Sequence, residues 1–105
     1  MPSLYVVATP IGNLEDVTLR ALRVLSEVDL IAAEDTRVTR KFLAHYKIRA
    51  KVVSYHEHNK TSKLDSLIKV LRDKDVALVS DAGMPTINDP GSELVAAAVE
   101  NGVSV

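Results

Sequence analysis

Short apolar runs alternate with amphipathic stretches along the whole chain, and this alternation most constrains the fold. Four runs predict strands, at residues 4–8, 29–33, 51–55 and 76–79. The last run is continuously hydrophobic, which is typical of a strand covered on both faces. Regular alternation of strand and helix indicates an α/β protein whose parallel strands are joined by right-handed crossovers.

The stretches between these runs have helical signals. Thr18 is the expected cap of the first helix, and Asp35 or Thr36 of the second. Apolar residues at i, i+3, i+4 and i+7 predict a third helix behind Thr61 or Ser62: Leu64, Leu67, Ile68 and Leu71. The fourth is expected to begin at Pro90, capped by Asp89, and to end at Asn101 and Gly102.

A fifth apolar run, at residues 103–105, predicts a further strand. The predicted fold class is therefore α/β, an open, mainly parallel five-stranded sheet flanked by helices. Because a free-standing domain seldom stops just as a strand starts, we expect the chain to be a piece of a longer protein.

Composition excludes several classes of protein. The chain has 105 residues, of which 47% are hydrophobic, enough to fill the core of one domain. The absence of cysteine excludes disulfides, a thiolate nucleophile and Cys-based metal sites. No apolar run is long enough for a bilayer, and the first residues lack a secretory leader, so we expect a soluble, cytoplasmic protein without a membrane partner.

Charge is unevenly distributed although the formal net charge is only −1. Six basic residues lie between positions 37 and 51, with no acidic residue between Asp35 and Glu57. From Asp75 onward there are five acidic residues and no basic one. A solvated basic helix explains the charges alone, so the basic stretch indicates a binding surface only if it lies beside a cleft.

Four loops with unusual residues follow the predicted strands, with the sequences TPIGN, EDTR, HEHN and SDAGMP. In open α/β sheets, ligands bind in the crevice outside the carboxyl ends of the strands. Glycine and proline give the first and fourth loops fixed shapes that let main-chain groups approach a ligand. The need of any α/β protein for glycine and proline in its turns explains one such loop well. It explains two such loops, with acidic and amide residues beside them, less well.

Several familiar chemistries lack their motifs. There is no GxxxxGK[ST] or GxGxxG phosphate-binding loop, and Ser80 lacks the GxSxG context of a hydrolase. His56 and His58 have no third ligand at a recognisable spacing, so no metal site is predicted. Glu34 and Asp35 are candidates for a catalytic carboxylate pair. Helix capping by Asp35, which contributes about 1 kcal/mol, is the simpler interpretation.

Four segments together resemble a known family: residues 7–22, 29–43, 54–59 and 76–91. They are similar to the amino-terminal domain of the tetrapyrrole-methylase-fold methyltransferases, and most similar to the small-subunit ribosomal RNA 2′-O-cytidine branch. The resemblance implies that residues 1–105 are the amino-terminal domain and that a carboxy-terminal domain is absent from this chain. It also implies S-adenosylmethionine as methyl donor, ribosomal RNA as partner, a homodimer and an isolated fragment that is inactive. Met84 departs from the family, which more usually has Thr there.

The resemblance also implies roles for individual residues. The amino-terminal wall of the donor pocket would comprise Pro10, Ile11, Gly12, Asn13, Asp81, Ala82, Gly83 and Pro85. Glu34, Asp35 and His56 are candidates for the general base or polarising group that a weakly acidic ribose hydroxyl needs. The phosphates of RNA would be held by Arg37, Arg40 and Lys41.

Two other functions remain open. A tetrapyrrole methyltransferase on the same fold would have no affinity for RNA and a less basic second helix. A non-enzymatic interaction module would result if donor binding needs the absent domain. All donor-site predictions require the TPIGN and SDAGMP loops to be neighbours in space.

Overall fold

The computed structural model describes residues 2–8, 17–56, 59–80 and 90–105. Within them, strands and helices alternate as predicted, with boundaries that differ by a residue or two. In chain order the elements are β1 (Leu4–Ala8), α1 (Leu19–Glu27), β2 (Leu30–Ala33), α2 (Thr36–His45), β3 (Val52–Ser54), α3 (Lys60–Val70), β4 (Val76–Ser80) and α4 (Pro90–Glu100).

The strands form one parallel sheet in the order β1-β4-β2-β3. This confirms the parallel α/β fold, and it makes the first and fourth strands neighbours. The prediction of five strands is wrong, because the described residues form four. At the expected position of the fifth, Ser104 makes a single parallel bridge with Ser3, and the amide of Leu4 donates to the carbonyl of Ser104 at 2.8 Å. One bridged pair is too short for a strand.

Both faces of the sheet are covered by helices. Val76 and Leu78 of β4 pack in one hydrophobic core, and the alternating residues Ala77 and Val79 pack in the other. The first core takes side chains from α3 and α4, and the second from α1 and α2. From β1 to β2 to β3 the chain moves across the sheet in one direction, and after β3 it turns back to β4. Because each crossover is right-handed, a reversal of direction puts the later helices on the opposite face.

The ends of three helices test the predicted caps. Thr18 caps α1 as predicted, its Oγ1 accepting from the amide of Ala21 at 3.0 Å. After α4, Gly102 has φ 73°, and the bonds from Gly102 to Val99 and from Val103 to Ala98 form a Schellman motif. The predicted cap of α3 at Thr61 or Ser62 is wrong, because α3 already begins at Lys60, behind Asn59. The predicted cap Asp89 lies outside the described residues.

The carboxyl ends of the four strands and the amino termini of all four helices lie at one edge of the sheet. This follows because each helix returns antiparallel to the parallel strands it connects. We call this edge the carboxyl edge; Glu34, Asp35 and His56 lie at it, and Arg37, Arg40 and Lys41 lie on α2, which begins there. Among the described residues, no helix has the length and hydropathy that crossing a membrane requires.

Candidate functional site

The strands that precede the first and fourth loops end side by side. Ala8, the last residue of β1, is paired with Ser80, the last residue of β4. Paired residues on adjacent strands are about 5 Å apart, so the loops begin at the same level of the sheet. The donor-wall residues predicted on these loops, Pro10, Ile11, Gly12, Asn13, Asp81, Ala82, Gly83 and Pro85, lie outside the described residues, as do Met84 and His58.

All four strands end on a small residue. These residues are Ala8, Ala33, Ser54 and Ser80. Ala33 is paired with Val79 on one side and with Ser54 on the other, so the strand ends form a nearly level row. The level ends therefore bring the starts of the four connections together along one edge of the sheet.

Asp35 is engaged as the cap of α2. Its Oδ1 accepts hydrogen bonds from the amides of Arg37 at 3.0 Å and of Val38 at 3.4 Å, and the Nε of Arg37 lies 3.8 Å away. Glu34, one residue nearer to β2, has an exposed side chain. Both carboxylates therefore lie at the carboxyl edge, but the carboxylate of Asp35 is already bonded to the first amides of α2.

His56 lies at the same edge, two residues beyond the end of β3, and is half-buried. Its backbone amide donates to Oδ1 of Asn59 at 2.8 Å. Nδ2 of Asn59 donates in turn to the carbonyl of Ser54 at 3.2 Å and to its Oγ at 2.9 Å. Sequence reasoning missed the role of Asn59, although its place in the HEHN motif was a signal.

The three basic residues expected to hold phosphates share one exposed side of α2. Arg37, Arg40 and Lys41 are spaced i, i+3 and i+4, and the side chain of Arg37 is 91% exposed. Nη2 of Arg40 donates to the carbonyl of Val52 at the long distance of 3.5 Å. Because α2 begins at the carboxyl edge, these cations lie beside the loops there. That these residues bind RNA stays a prediction.

On the opposite face, an ion pair joins the amino-terminal turns of two helices. Nζ of Lys60 in α3 lies 3.2 Å from Oε1 of Glu93 in α4. The contact therefore links the starts of the two helices that cover this face. Within the described residues, no cluster of three or more His, Cys, Asp or Glu side chains is suited to a metal ion.

Comparison with protein families identifies a match over nearly the whole chain. The family model described as Tetrapyrrole (Corrin/Porphyrin) Methylases matches residues 3–105.

Two curated relatives are named ribosomal RNA small subunit methyltransferase I. The protein from Halalkalibacterium halodurans is 60% identical over 104 residues, which are 98% of this chain and 36% of the relative. The protein from Bacillus subtilis is 58% identical over 96 residues, which are 90% of this chain and 33% of the relative. The chain thus spans about a third of the length of these relatives.

A solved structure shares the fold. Uroporphyrin-III-C-methyltransferase from Thermus thermophilus superimposes with a TM-score of 0.74 at 25% sequence identity. The match covers 98% of this chain and 45% of that protein. The α/β architecture of the chain is therefore that of a tetrapyrrole methylase domain.

Proposed function

Because this chain belongs to the tetrapyrrole (corrin/porphyrin) methylase family, we propose that residues 1–105 are the amino-terminal domain of an S-adenosylmethionine-dependent methyltransferase. A carboxy-terminal domain outside this chain completes the donor site. The substrate is small-subunit ribosomal RNA, and the acceptor is the ribose 2′-oxygen of a cytidine. The names of the relatives and their greater length support this proposal.

The pairing of Ala8 with Ser80 carries the proposal. It makes the bases of the TPIGN and SDAGMP loops neighbours, which the donor-wall prediction requires. In open α/β sheets, ligands bind outside the carboxyl ends of the strands, which is where both loop bases lie. Opposite placement of the two loop bases would have removed the basis for a shared pocket.

The donor supplies an activated methyl group, so the chain has mainly to orient the two reactants. Holding them in attack geometry can contribute about 7–11 kcal/mol to lowering the barrier. Glu34, Asp35 and His56 remain the candidates for accepting the proton of the ribose hydroxyl. The two amide hydrogen bonds to Asp35 favour Glu34 or His56 for this role.

RNA is the better-supported substrate class. The basic side of α2 adjoins the carboxyl edge, where Arg37, Arg40 and Lys41 can bind phosphates next to the acceptor ribose. A tetrapyrrole substrate is the alternative, supported by the likeness to uroporphyrin-III-C-methyltransferase. A substrate that is ribosomal RNA also implies a cytoplasmic enzyme, and the family resemblance implies a homodimer.

Titration calorimetry with S-adenosylhomocysteine tests donor binding. We expect no heat of binding from residues 1–105 alone, and binding from a longer protein that begins with this sequence. Binding by neither protein would contradict the proposal, whereas binding by both would show that the amino-terminal domain suffices.

Transfer of a labelled methyl group by the longer protein tests the substrate. We expect label in small-subunit ribosomal RNA and none in uroporphyrinogen. The reverse result would favour the tetrapyrrole alternative, and sedimentation of the same protein would test the homodimer.

A further inference from the structure

Asn59 uses its whole side chain to hold the turn between β3 and α3. Its Oδ1 accepts from the amide of His56, and Nδ2 donates to the carbonyl and the hydroxyl of Ser54. The Nδ2 nitrogen carries two N–H donors, and two acceptors lie within hydrogen-bond distance of it. We call this set of three hydrogen bonds the Asn59 clamp.

Asn59 does not make the helix-capping hydrogen bond that is usual for asparagine at this position. Asn59 directly precedes α3, and asparagine is among the best helix-capping residues. Its side chain nevertheless makes no capping hydrogen bond to α3 and bonds back to the preceding turn instead. The helix α3 therefore lacks a capping hydrogen bond, which would stabilise it by about 1 kcal/mol, and the side chain of Asn59 contacts the turn that carries His56 instead.

The sheet alone cannot hold this turn, because β3 is an outer strand of three half-buried residues. Ile31 donates to the carbonyl of Lys51, and Tyr55 donates to the carbonyl of Ala33, so alternate residues of this segment bond to β2. By this alternation, the carbonyl of Ser54 faces away from β2. The Asn59 clamp supplies the donor that a further strand would have given.

His56 is consequently anchored through its backbone. Tyr55, just before it, is only 2% exposed and is bonded to β2, while the amide of His56 is bonded to Asn59. The imidazole thus projects from a main chain that is held on both sides at the carboxyl edge.

We propose that Asn59 is a positioning residue for methyl transfer, which acts by setting the place of His56 beside the acceptor ribose. This inference rests on the proposed function, in which His56 is a candidate catalytic residue. Asn59 itself is bonded to the turn and needs no contact with donor or RNA.

Three substitutions separate the contacts of the clamp. Asn59→Ala removes all three, whereas Asn59→Asp keeps an oxygen for the amide of His56 but places an oxygen against the Ser54 carbonyl. Ser54→Ala removes only the hydroxyl acceptor. Asn101→Ala is the matched control, since Nδ2 of Asn101 donates to the carbonyl of Ala97 at 2.8 Å beyond the far end of α4.

The decisive measurement is a double-mutant cycle in the longer methyltransferase. We expect Asn59→Ala to lower kcat by up to about 10²-fold, the cost of a small misplacement of a reacting group, with KM for the donor nearly unchanged. Ser54→Ala should have a smaller effect, and Asn101→Ala none. In a His56→Ala background, Asn59→Ala should cause no further loss, because its effect passes through His56.

Independent effects of His56→Ala and Asn59→Ala on kcat would overturn the positioning role, as would full activity of either single variant. Amide hydrogen exchange of residues 1–105 tests the clamp separately. We expect the His56 amide to be protected and to lose protection in Asn59→Ala but not in Asn101→Ala. If methyl transfer fails for every substrate while this exchange pattern holds, the clamp stands and the proposed function is wrong.

Discussion

At the scale of single residues, the same helix-start position serves different purposes in this protein. Thr18 and Asp35 cap their helices with side-chain oxygens, and both caps are predictable from the sequence. Asn59 does not cap α3, because Ser54 and His56 offer its side chain three bonds at once. The capping preference of a residue therefore determines its side-chain contacts only where no other hydrogen-bonding groups lie within reach.

Substitution of Asp35 separates capping from proton transfer. Asp35→Ala should lower the free energy of unfolding by about 1 kcal/mol, because two amides at the start of α2 lose their acceptor. Asp35→Asn should stay within a few tenths of a kcal/mol, since asparagine caps equally well. Denaturant unfolding measures both, and methyl transfer by the longer protein should survive Asp35→Asn. Loss of activity with retained stability would instead assign Asp35 a catalytic role.

Thr39 provides a second test at this scale. It is 2% exposed, and among the described residues its Oγ1 has no hydrogen-bond partner. Thr39→Val replaces the hydroxyl by a methyl group of similar size, so it should raise the free energy of unfolding by about 1 kcal/mol. Thermal unfolding would show this as a higher Tm. A lower Tm would mean that the hydroxyl makes a stabilising contact with a part of the chain that the structure does not describe.

At the scale of elements, a charged residue at the start of α4 stabilises one of opposite charge at the start of α3. Lys60 places a positive charge at the positive end of the α3 dipole, which is unfavourable in isolation. Glu93, in the first turn of α4, lies 3.2 Å from its ammonium group and is well placed for the dipole of its own helix. The pair thus offsets the unfavourable position of Lys60 and links the starts of α3 and α4.

Two substitutions in α4 should differ in their effects on stability. Glu93→Gln loses an ion pair and a dipole interaction, so it should lower the free energy of unfolding by about 0.5–1 kcal/mol. Glu100 is the last residue of α4, where a negative charge is unfavourable, so Glu100→Gln should be neutral or stabilising by a few tenths of a kcal/mol. Denaturant unfolding at low and high salt checks both. Equal effects, or an effect of Glu93→Gln that salt leaves unchanged, would contradict this account.

At the scale of the whole molecule, the uneven charge along the sequence becomes a difference between two faces. The helices of one face, α1 and α2, carry five exposed basic residues: Arg20, Arg23, Arg37, Arg40 and Lys41. On the other face, α3 carries three lysines and one aspartate and α4 carries two glutamates, so the basic and acidic residues of these two helices balance. A polyanion is therefore expected to approach from the side of α1 and α2.

The salt dependence of RNA binding tests this asymmetry in the longer protein. Alanine at Arg37, Arg40 and Lys41 should reduce the slope of log affinity against log salt by about 0.7 for each phosphate that is no longer neutralised. The matched control replaces three exposed basic residues of the other face and edge by alanine, namely Lys69, Arg72 and Lys74. The control should bind with the parental slope. Equal slopes for both triple variants would exclude α2 as the RNA-binding element.

Much of the fold could be predicted because it depends on local periodicity. Apolar spacing determined which segments are strands and helices, and capping residues determined the starts of α1 and α2. The predicted fifth strand failed because a strand requires successive paired residues, and apolar character at residues 103–105 does not supply them. The start of α3 failed because the side chain of Asn59 finds its partners outside the helix.

For the site, the sequence alone determined which residue types follow each strand, and hence that carboxylates, a histidine and cations belong to one edge. Only the tertiary structure decided that β4 lies between β1 and β2, which makes Ala8 and Ser80 neighbours although they are far apart in the sequence. It also decided that Asn59 holds the turn of His56. Strand order and side-chain clamps depend on contacts between distant segments, and those contacts form only when the apolar faces of the sheet and helices are buried together.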